Sequence, residues 1–336
     1  MKLLLISSKN DVIEDISKVT GVGRYVREIY EGLKGENDVS LYPLFDYSSN
    51  LSSFVSVGKG IIRNYSDYDI IHLLSPKPFF PIRRGKAKWV TTVHDLFFLR
   101  YKESKPSPLM QKVYLKSILS SDAVIAVSSI VKEDIEKLSY NKRIFVVNPG
   151  VEEKFFTTPS HKTRKSDVIR FGYIGRLDAE RKDIIRGIKM FRKIRERKII
   201  FELWGSYDPN SEIFKEIKKE SKEDPRIRIM GPALDEKLIE IYDTFDAFFF
   251  PTKEEGFGLP IVEAQTRGVP VIVFNDARIP QEVCKDCIKI RNEFPSLEYI
   301  LSFSEKYCNR LKNNMTRFYW RNSIKSLISI YNSLII

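Results

Sequence analysis

Short apolar runs alternate with amphipathic stretches along most of the 336 residues, the pattern of strand–helix–strand units laid into a parallel sheet. Two series of such runs occur. The first predicts strands at 3–6, 70–74, 89–93, 123–127 and 144–147, and the second at 169–174, 199–204, 227–230, 247–250 and 271–274. Between them residues 154–167, polar and carrying Pro159 among several Thr and Lys, read as a linker between two domains. Helices are predicted where apolar positions share one helical face: Val22, Val26, Ile29 and Leu33 after Gly21-Val22-Gly23, and Ile184, Ile188, Phe191 and Ile194 after Gly175-Arg176-Leu177. In both places a glycine-containing loop brings a helix N-terminus to the carboxyl end of a strand. Open α/β sheets bind ligands there, so two such domains in tandem imply a cleft between them. Residues 315–336, with Phe318, Trp320, Ile324, Leu327, Ile328 and Tyr331 on one stripe, predict a docking helix.

Length and composition narrow the class. At about 150 residues per domain the chain holds about two, and 43% hydrophobic with 30% charged residues is a globular balance that excludes a disordered or collagenous chain. No apolar run approaches the ~20 residues of a membrane span, and no signal-peptide anatomy precedes the first strand, so a cytoplasmic protein is expected. The formal charge of +12 favours polyanions: nucleotide phosphates, nucleic acid or an anionic membrane face. Three Cys and three His are scattered too widely for a metal module, and Cys284 and Cys287 read as structural. Asn50, Asn64 and Asn314 head Asn-x-Ser/Thr triplets of the kind chance supplies in a polar chain.

The sharpest chemical feature is Glu255-Gly256-Phe257-Gly258-Leu259-Pro260-Ile261-Val262-Glu263, two acids with seven residues between them across a glycine-rich turn. Pro260 suits a helix start and Gly268 its end, which puts Glu255 on the loop and Glu263 one turn inside the helix. The backbone N–H groups from Gly256 to Leu259 then form an anion site, and the Glu263 carboxylate is suited to paired ribose hydroxyls. Taken alone, the same acids also fit a solvated loop.

This stretch, continued by Gly268-Val269-Pro270-Val271-Ile272, resembles the E-x7-E signature of retaining glycosyltransferases of family 4. Gly21-Val22-Gly23-Arg24-Tyr25 resembles the family's N-terminal glycine loop and Thr92-Val93-His94-Asp95-Leu96 its His-Asp segment. Asn148-Pro149-Gly150-Val151, Tyr173-Ile174-Gly175-Arg176-Leu177 and Arg181-Lys182-Asp183-Ile184 follow in the family's order, so the likeness runs from residue 1 to about 285. The resemblance implies an α/β protein of the GT-B fold: two Rossmann-like domains (1–160 and 161–314) facing across a cleft, and a C-terminal helix (315–336) crossing back to the first. It implies a nucleoside-diphosphate sugar as donor, a glycan or lipid-linked acceptor, transfer with retention, and neither metal nor cofactor. Arg176 and Lys182 would hold the diphosphate, Glu263 the ribose, and Glu255 with the backbone of Gly256, Phe257, Gly258 and Leu259 the sugar and phosphates. Gly21 and Gly23 would let the first domain approach the diphosphate, and His94 would touch the transferred sugar.

The chemistry asks for these residue types independently. As the anomeric carbon leaves the diphosphate, negative charge grows on the phosphate, and a fixed cation at ~4 Å is worth roughly 4 kcal/mol of gross Coulomb energy at an effective dielectric near 20. His94 follows a strand, at its carboxyl end, where a hydrogen-bonded structural role is the alternative. Asp67-Tyr68-Asp69 has the spelling of a metal-binding D-x-D but precedes a strand, as does the basic cluster 83–88, so both read as turns. Two departures from the family stand out: Arg267 where a small residue is usual before Gly268, and the doubled acids Glu254-Glu255, of which the spacing selects Glu255. Acceptor contacts are expected in 46–59 and 97–112, the latter apolar and basic enough for an anionic membrane surface. Two rival readings remain: a GT-B relative that hydrolyses or epimerises a nucleotide sugar, and a basic nucleic-acid-binding protein, against which the basic residues are spread rather than striped.

Overall fold

The computed structural model describes residues 1–8, 21–35, 37–44, 67–75, 86–101, 108–139, 142–157, 167–196 and 198–336. The chain divides into two compact units, one of Met1–Gly150 with Trp320–Ile336 and one of Val151–Tyr319. Each is built on a six-stranded parallel sheet. The candidate acceptor segment 46–59, Asn50, Asn64, His161 and residues 83–85 of the basic cluster lie outside the described residues.

In the first unit the strands are β1 (Lys2–Ser8), β2 (Asp38–Leu44), β3 (Ile70–Leu73), β4 (Lys88–Val93), β5 (Ala123–Ala126) and β6 (Ile144–Val146), in spatial order β2-β1-β3-β4-β5-β6. β3 and β5 are buried along their whole length, which is why these runs are almost continuously apolar rather than alternating. Helix α1 (Gly21–Lys34) buries Tyr25, Val26, Ile29 and Leu33. Helices α2 (Pro108–Ser120) and α3 (Ser129–Glu136) follow, α3 starting at an N-cap where the Ser128 hydroxyl accepts from the Val131 N–H.

The second unit holds β7 (Ile169–Ile174), β8 (Ile199–Trp204), β9 (Ile227–Gly231), β10 (Ala247–Phe249), β11 (Val271–Phe274) and β12 (Ile288–Ile290), in order β12-β11-β10-β7-β8-β9. Its helices are α4 (Ile184–Phe191), α5 (Glu212–Glu223), α6 (Leu238–Thr244), α7 (Leu259–Thr266), the single turn α8 (Gln281–Cys284) and α9 (Leu297–Met315). A last helix, α10 (Trp320–Ile335), packs in the first unit, where Trp320, Ile324, Leu327 and Tyr331 join Tyr25 and Val26 in one core.

Several expectations need correction. Strands β2 and β12 were not predicted, nor were helices α2, α3, α5, α6, α8 and α9. The helix after the first glycine loop begins at Gly21 itself, so Gly23 lies within its first turn. Helix α4 ends at Phe191, short of Ile194, and Asp183 before it sits in the left-handed region at φ 50°. Residues 154–157 of the presumed linker belong to the second unit's packing: Phe155 is buried within a short turn over Glu153–Phe156. The tail stripe is divided as well, because Phe318 packs edge-on against Phe257 of the second unit, and Ile330 and Leu334 complete the stripe of α10. Asp67-Tyr68-Asp69 is a turn, with Asp69 Oδ2 accepting from the Lys2 N–H at 2.8 Å.

Within each unit the segments where the chain enters and leaves are closely fitted to each other. Val151 donates its N–H to the Phe318 carbonyl at 2.7 Å and bridges Tyr319 in parallel register. A Cβ on Gly150 would stand 2.5 Å from the Trp320 backbone nitrogen, which leaves room only for glycine. No helix among the described residues is long and apolar enough to cross a membrane.

Candidate active site

In the second sheet the chain leaves β7 for β8 and β9 on one side and returns to β10 on the other, so the strand order reverses between β7 and β10. A reversal opens a crevice at the carboxyl ends of those two strands. The loops that line it are the ones singled out in the sequence. The loops after β7 and β8 are laid against each other: Leu177 N–H donates to Ser206 O at 3.0 Å, and a Cβ on Gly205 would lie 1.7 Å from the Gly175 carbonyl oxygen. The hydroxyl of fully buried Tyr173 donates to Arg176 O at 3.1 Å. Burial, with the Glu255 charge nearby, holds that phenol well above its usual range and so protonated as a donor.

The two acids of the glycine-rich turn have separate surroundings. Glu255 is buried, with Oε1 2.6 Å from Lys182 Nζ and 2.8 Å from the Thr252 hydroxyl, while Arg181 Nη1 stands 3.4 Å away. Burial pushes its carboxyl up, but Lys182 and Arg181, with the hydrogen bonds from Lys182 and Thr252, outweigh that and hold it below the ordinary carboxylate value. Lys182 Nζ also lies 4.7 Å from the centre of the Phe250 ring. Glu254 instead takes Arg278 Nη1 at 2.5 Å. The doubled acids thus have different partners, Glu255 two cations of the loop after β7 and Glu254 the guanidinium of Arg278.

Glu263 lies inside α7, buried, and accepts from the Tyr242 hydroxyl at 2.8 Å. Gly258 caps the helix at φ 96°, a conformation that favours glycine, and Pro260 stands in the first turn. Among the described residues the N–H groups of Phe257, Gly258 and Leu259 make no hydrogen bond. Successive unbonded N–H groups at a helix start form a concentrated site for an anion. At the other end Gly268 donates to Gln265 O and Val269 to Ala264 O, closing the helix.

Arg176 forks onto Asp178 at 2.7 and 3.1 Å with its side chain 63% exposed. Asp178 accepts in turn from the Asp208 N–H at 3.0 Å. The structure therefore joins Lys182 to Glu255 across two loops and Arg176 to Asp178 within the loop after β7.

In the first unit His94 stands at the carboxyl end of β4. Its Nε2–H donates to the Leu74 carbonyl at 2.8 Å and its ring meets Tyr25 edge-on at 4.8 Å. A proton on Nε2 leaves Nδ1 of the neutral ring as the acceptor. A Cβ on Gly21 would meet nothing within 4 Å inside the unit, whereas Gly23 is buried.

Sequence reasoning missed four participants: Arg181, Thr252, Asp178 and Tyr242. Arg181 stood inside a quoted segment and Thr252 three positions before Glu255, and only their direction was unreadable. Tyr242 lies 21 residues before Glu263, with no local pattern to join the two. Arg267 was noticed but not understood. It is 2% exposed, forks onto Asp243 at 2.8 and 2.7 Å, and gives Nη1 to the carbonyls of Phe155 at 2.9 Å and Thr157 at 2.7 Å.

Residues 169–293 match the family model described as "Glycosyl transferases group 1", and residues 37–155 match "Glycosyltransferase Family 4". The O-antigen chain mannosyltransferase B of Escherichia coli is 25% identical over 237 residues, 66% of this chain and 61% of that protein. The D-inositol 3-phosphate glycosyltransferase of Corynebacterium urealyticum is 23% identical over 345 residues, 91% of this chain and 79% of that protein. The chain thus spans about three fifths of the length of the first relative. Among solved structures, a sucrose-phosphate synthase of Thermosynechococcus elongatus superimposes with a TM-score of 0.80 at 18% identity, covering 99% of each chain. HepE of Anabaena, in complex with UDP and glucose, gives 0.74 at 14% identity over 99% of this chain and 100% of that one. Two parallel six-stranded sheets in tandem, with these superpositions, define a GT-B protein. One family model lies within the second unit and the other covers the first from residue 37 and runs on to 155, and the chain belongs to the glycosyltransferases of family 4.

Proposed function

We propose that the protein transfers a hexosyl group, with retention and without a metal, from a nucleoside-diphosphate sugar to a hydroxyl of a glycan or lipid-linked acceptor. The observation that carries this reading is the Glu255–Lys182 pair at 2.6 Å, set beside the unbonded N–H groups of Phe257, Gly258 and Leu259. The diphosphate of the donor takes those N–H groups. Glu263, steadied by Tyr242, takes the ribose hydroxyls. Lys182, Arg181 and Arg176 face the leaving phosphate and supply the positive charge that a metal supplies in other designs. Lys182 and Arg181 share the Glu255 carboxylate and Arg176 has Asp178, so every cation has an acidic partner before donor arrives. The departing phosphate receives the acceptor proton, and Glu255, held ionised by two cations, orients the sugar rather than attacking it. His94, Gly21 and Gly23 carry the first unit's part, contact with the transferred sugar and the diphosphate.

HepE bound to UDP-glucose and the E. coli mannosyltransferase support a nucleotide sugar as donor and a polysaccharide or lipid-linked product. With +12 formal charge the protein is proposed to act at an anionic membrane face on the cytoplasmic side. Liposomes containing anionic lipid should sediment it at low salt, and a failure to do so refutes that placement.

The donor reading is tested by thermal shift against UDP-, GDP-, ADP- and TDP-sugars. At a hundred times its Kd a donor adds about 2.7 kcal/mol to the folded state. Glu263→Ala should erase the shift given by the best of them; a shift that survives removes Glu263 from the donor site.

A further inference from the structure

Four buried polar side chains of the first unit have no part in the chemistry proposed above. Tyr331 of α10 places its hydroxyl 2.5 Å from His72 Nδ1 on β3. His72 Nε2 lies 2.8 Å from the Thr92 hydroxyl on β4, and Thr92 lies 3.1 Å from the Tyr25 hydroxyl on α1. All four residues are buried, and they come from four elements, with 259 positions of sequence between the bonded pair His72 and Tyr331.

The row ends at His94. The Tyr25 ring meets the imidazole edge-on at 4.8 Å, and the carbonyl that receives His94 Nε2–H belongs to Leu74, two positions beyond His72. The Tyr25 contact is thus tied to Thr92, and the Leu74 carbonyl directly follows the strand that carries His72. Thr92 itself precedes His94 by two positions on the same strand.

We propose that Tyr331 positions the His94 imidazole through His72, Thr92 and Tyr25, so that the last helix helps to set the geometry of the first unit's sugar-contacting group. Burial keeps His72 neutral, and a neutral imidazole donates from one nitrogen and accepts at the other. The hydroxyls on either side must then point one way along the row. Tyr331 gives its proton to Nδ1 while Nε2–H serves Thr92, or the whole row runs in reverse. Removing the terminal hydroxyl unbalances every member, because a buried ring nitrogen left without a partner is costly. A histidine that only filled the core would not need to share its two nitrogens between the last helix and the strand that leads to His94. The meaning of this coupling for transfer rests on the role proposed for His94.

The test uses the full chain without ligand. With three histidines in the protein, ring resonances labelled with 13C and 15N are assigned by single replacements. Tyr25→Leu removes the ring next to His94 and calibrates the ring-current shift. Tyr331→Phe and Thr92→Val keep shape while breaking the row, and each is expected to displace the His94 resonances in the same direction as Tyr25→Leu, by at least half as much. Tyr242→Phe, in the other unit, should leave them in place. Unmoved His94 signals in Tyr331→Phe and Thr92→Val, even with a lowered unfolding midpoint, overturn the inference and leave the row as packing. Turnover by His94→Ala judges the other claim separately: full activity there refutes the role of His94 in transfer, whatever the spectra show.

Discussion

Arg267→Ala is the change whose cost the structure states most fully. The guanidinium holds the Asp243 carboxylate with two nitrogens and two backbone carbonyls with the third. Truncation leaves all three acceptors without it. Breaking a buried ion pair costs about 3–5 kcal/mol, and an orphaned buried carbonyl about 1–3 kcal/mol. Water can recover part of this, since the Asp243 side chain is 19% exposed. We expect a net loss of about 4 kcal/mol from the second unit, after this discount. Chemical unfolding read by fluorescence measures it: Trp204 lies in the second unit and Trp89 and Trp320 in the first, so a parallel Trp204→Phe series identifies the second unit's transition. A double-mutant cycle with Asp243→Ala should give a coupling of about 2 kcal/mol, within the range for side chains in direct contact. Arg267→Met, which keeps the apolar stem, should recover only a small part. A loss under about 1 kcal/mol, typical of an unremarkable surface site, or strict additivity with Asp243→Ala, would refute this account.

Two further outcomes follow from the geometry. Burial, with His94 close by, lowers the His72 pKa from 6.5 to about 3. Across that interval the unfolded chain binds a proton that the folded chain refuses, so the first unit should lose stability on acidification by about 1.4 kcal/mol per pH unit. His72→Gln should remove this contribution from the pH dependence of the unfolding free energy, and an unchanged slope would contradict it. Gly205→Ala drives a methyl group into the Gly175 carbonyl, and should cost about 3 kcal/mol by overpacking while weakening donor binding through the displaced Arg176 loop; normal stability and normal donor-induced thermal shift would show that the two loops move apart freely.

Most of the sheet framework was legible because strands buried on both faces leave unbroken apolar runs. What escaped were two of the four edge strands, β2 and β12. β2 carries Asp38, Ser40 and Pro43, and Pro is tolerated only where one side of the strand is unpaired. β12 has three residues with exposed Lys289 in the middle, too short to register as a period. In the site, positions were readable and directions were not: spacing gave Glu255 and Glu263, but that Lys182 would pair with Glu255, and Arg176 with Asp178, depends on how three loops are folded together. Arg267 shows the reverse case. Its departure from the family pattern was visible at once, yet its partners lie 24 positions away at Asp243 and 110 or more away at Thr157 and Phe155.

The pairing of Val151 with Phe318 and Tyr319 means that the second unit begins and finishes at one spot. It is a contiguous insert, whereas the first unit needs Trp320–Ile336 to close its core. During synthesis the insert is finished before its host. The early-made segment must wait on the ribosome with an open apolar face until the last helix emerges, and it is that interval in which the nascent chain most needs protection from aggregation.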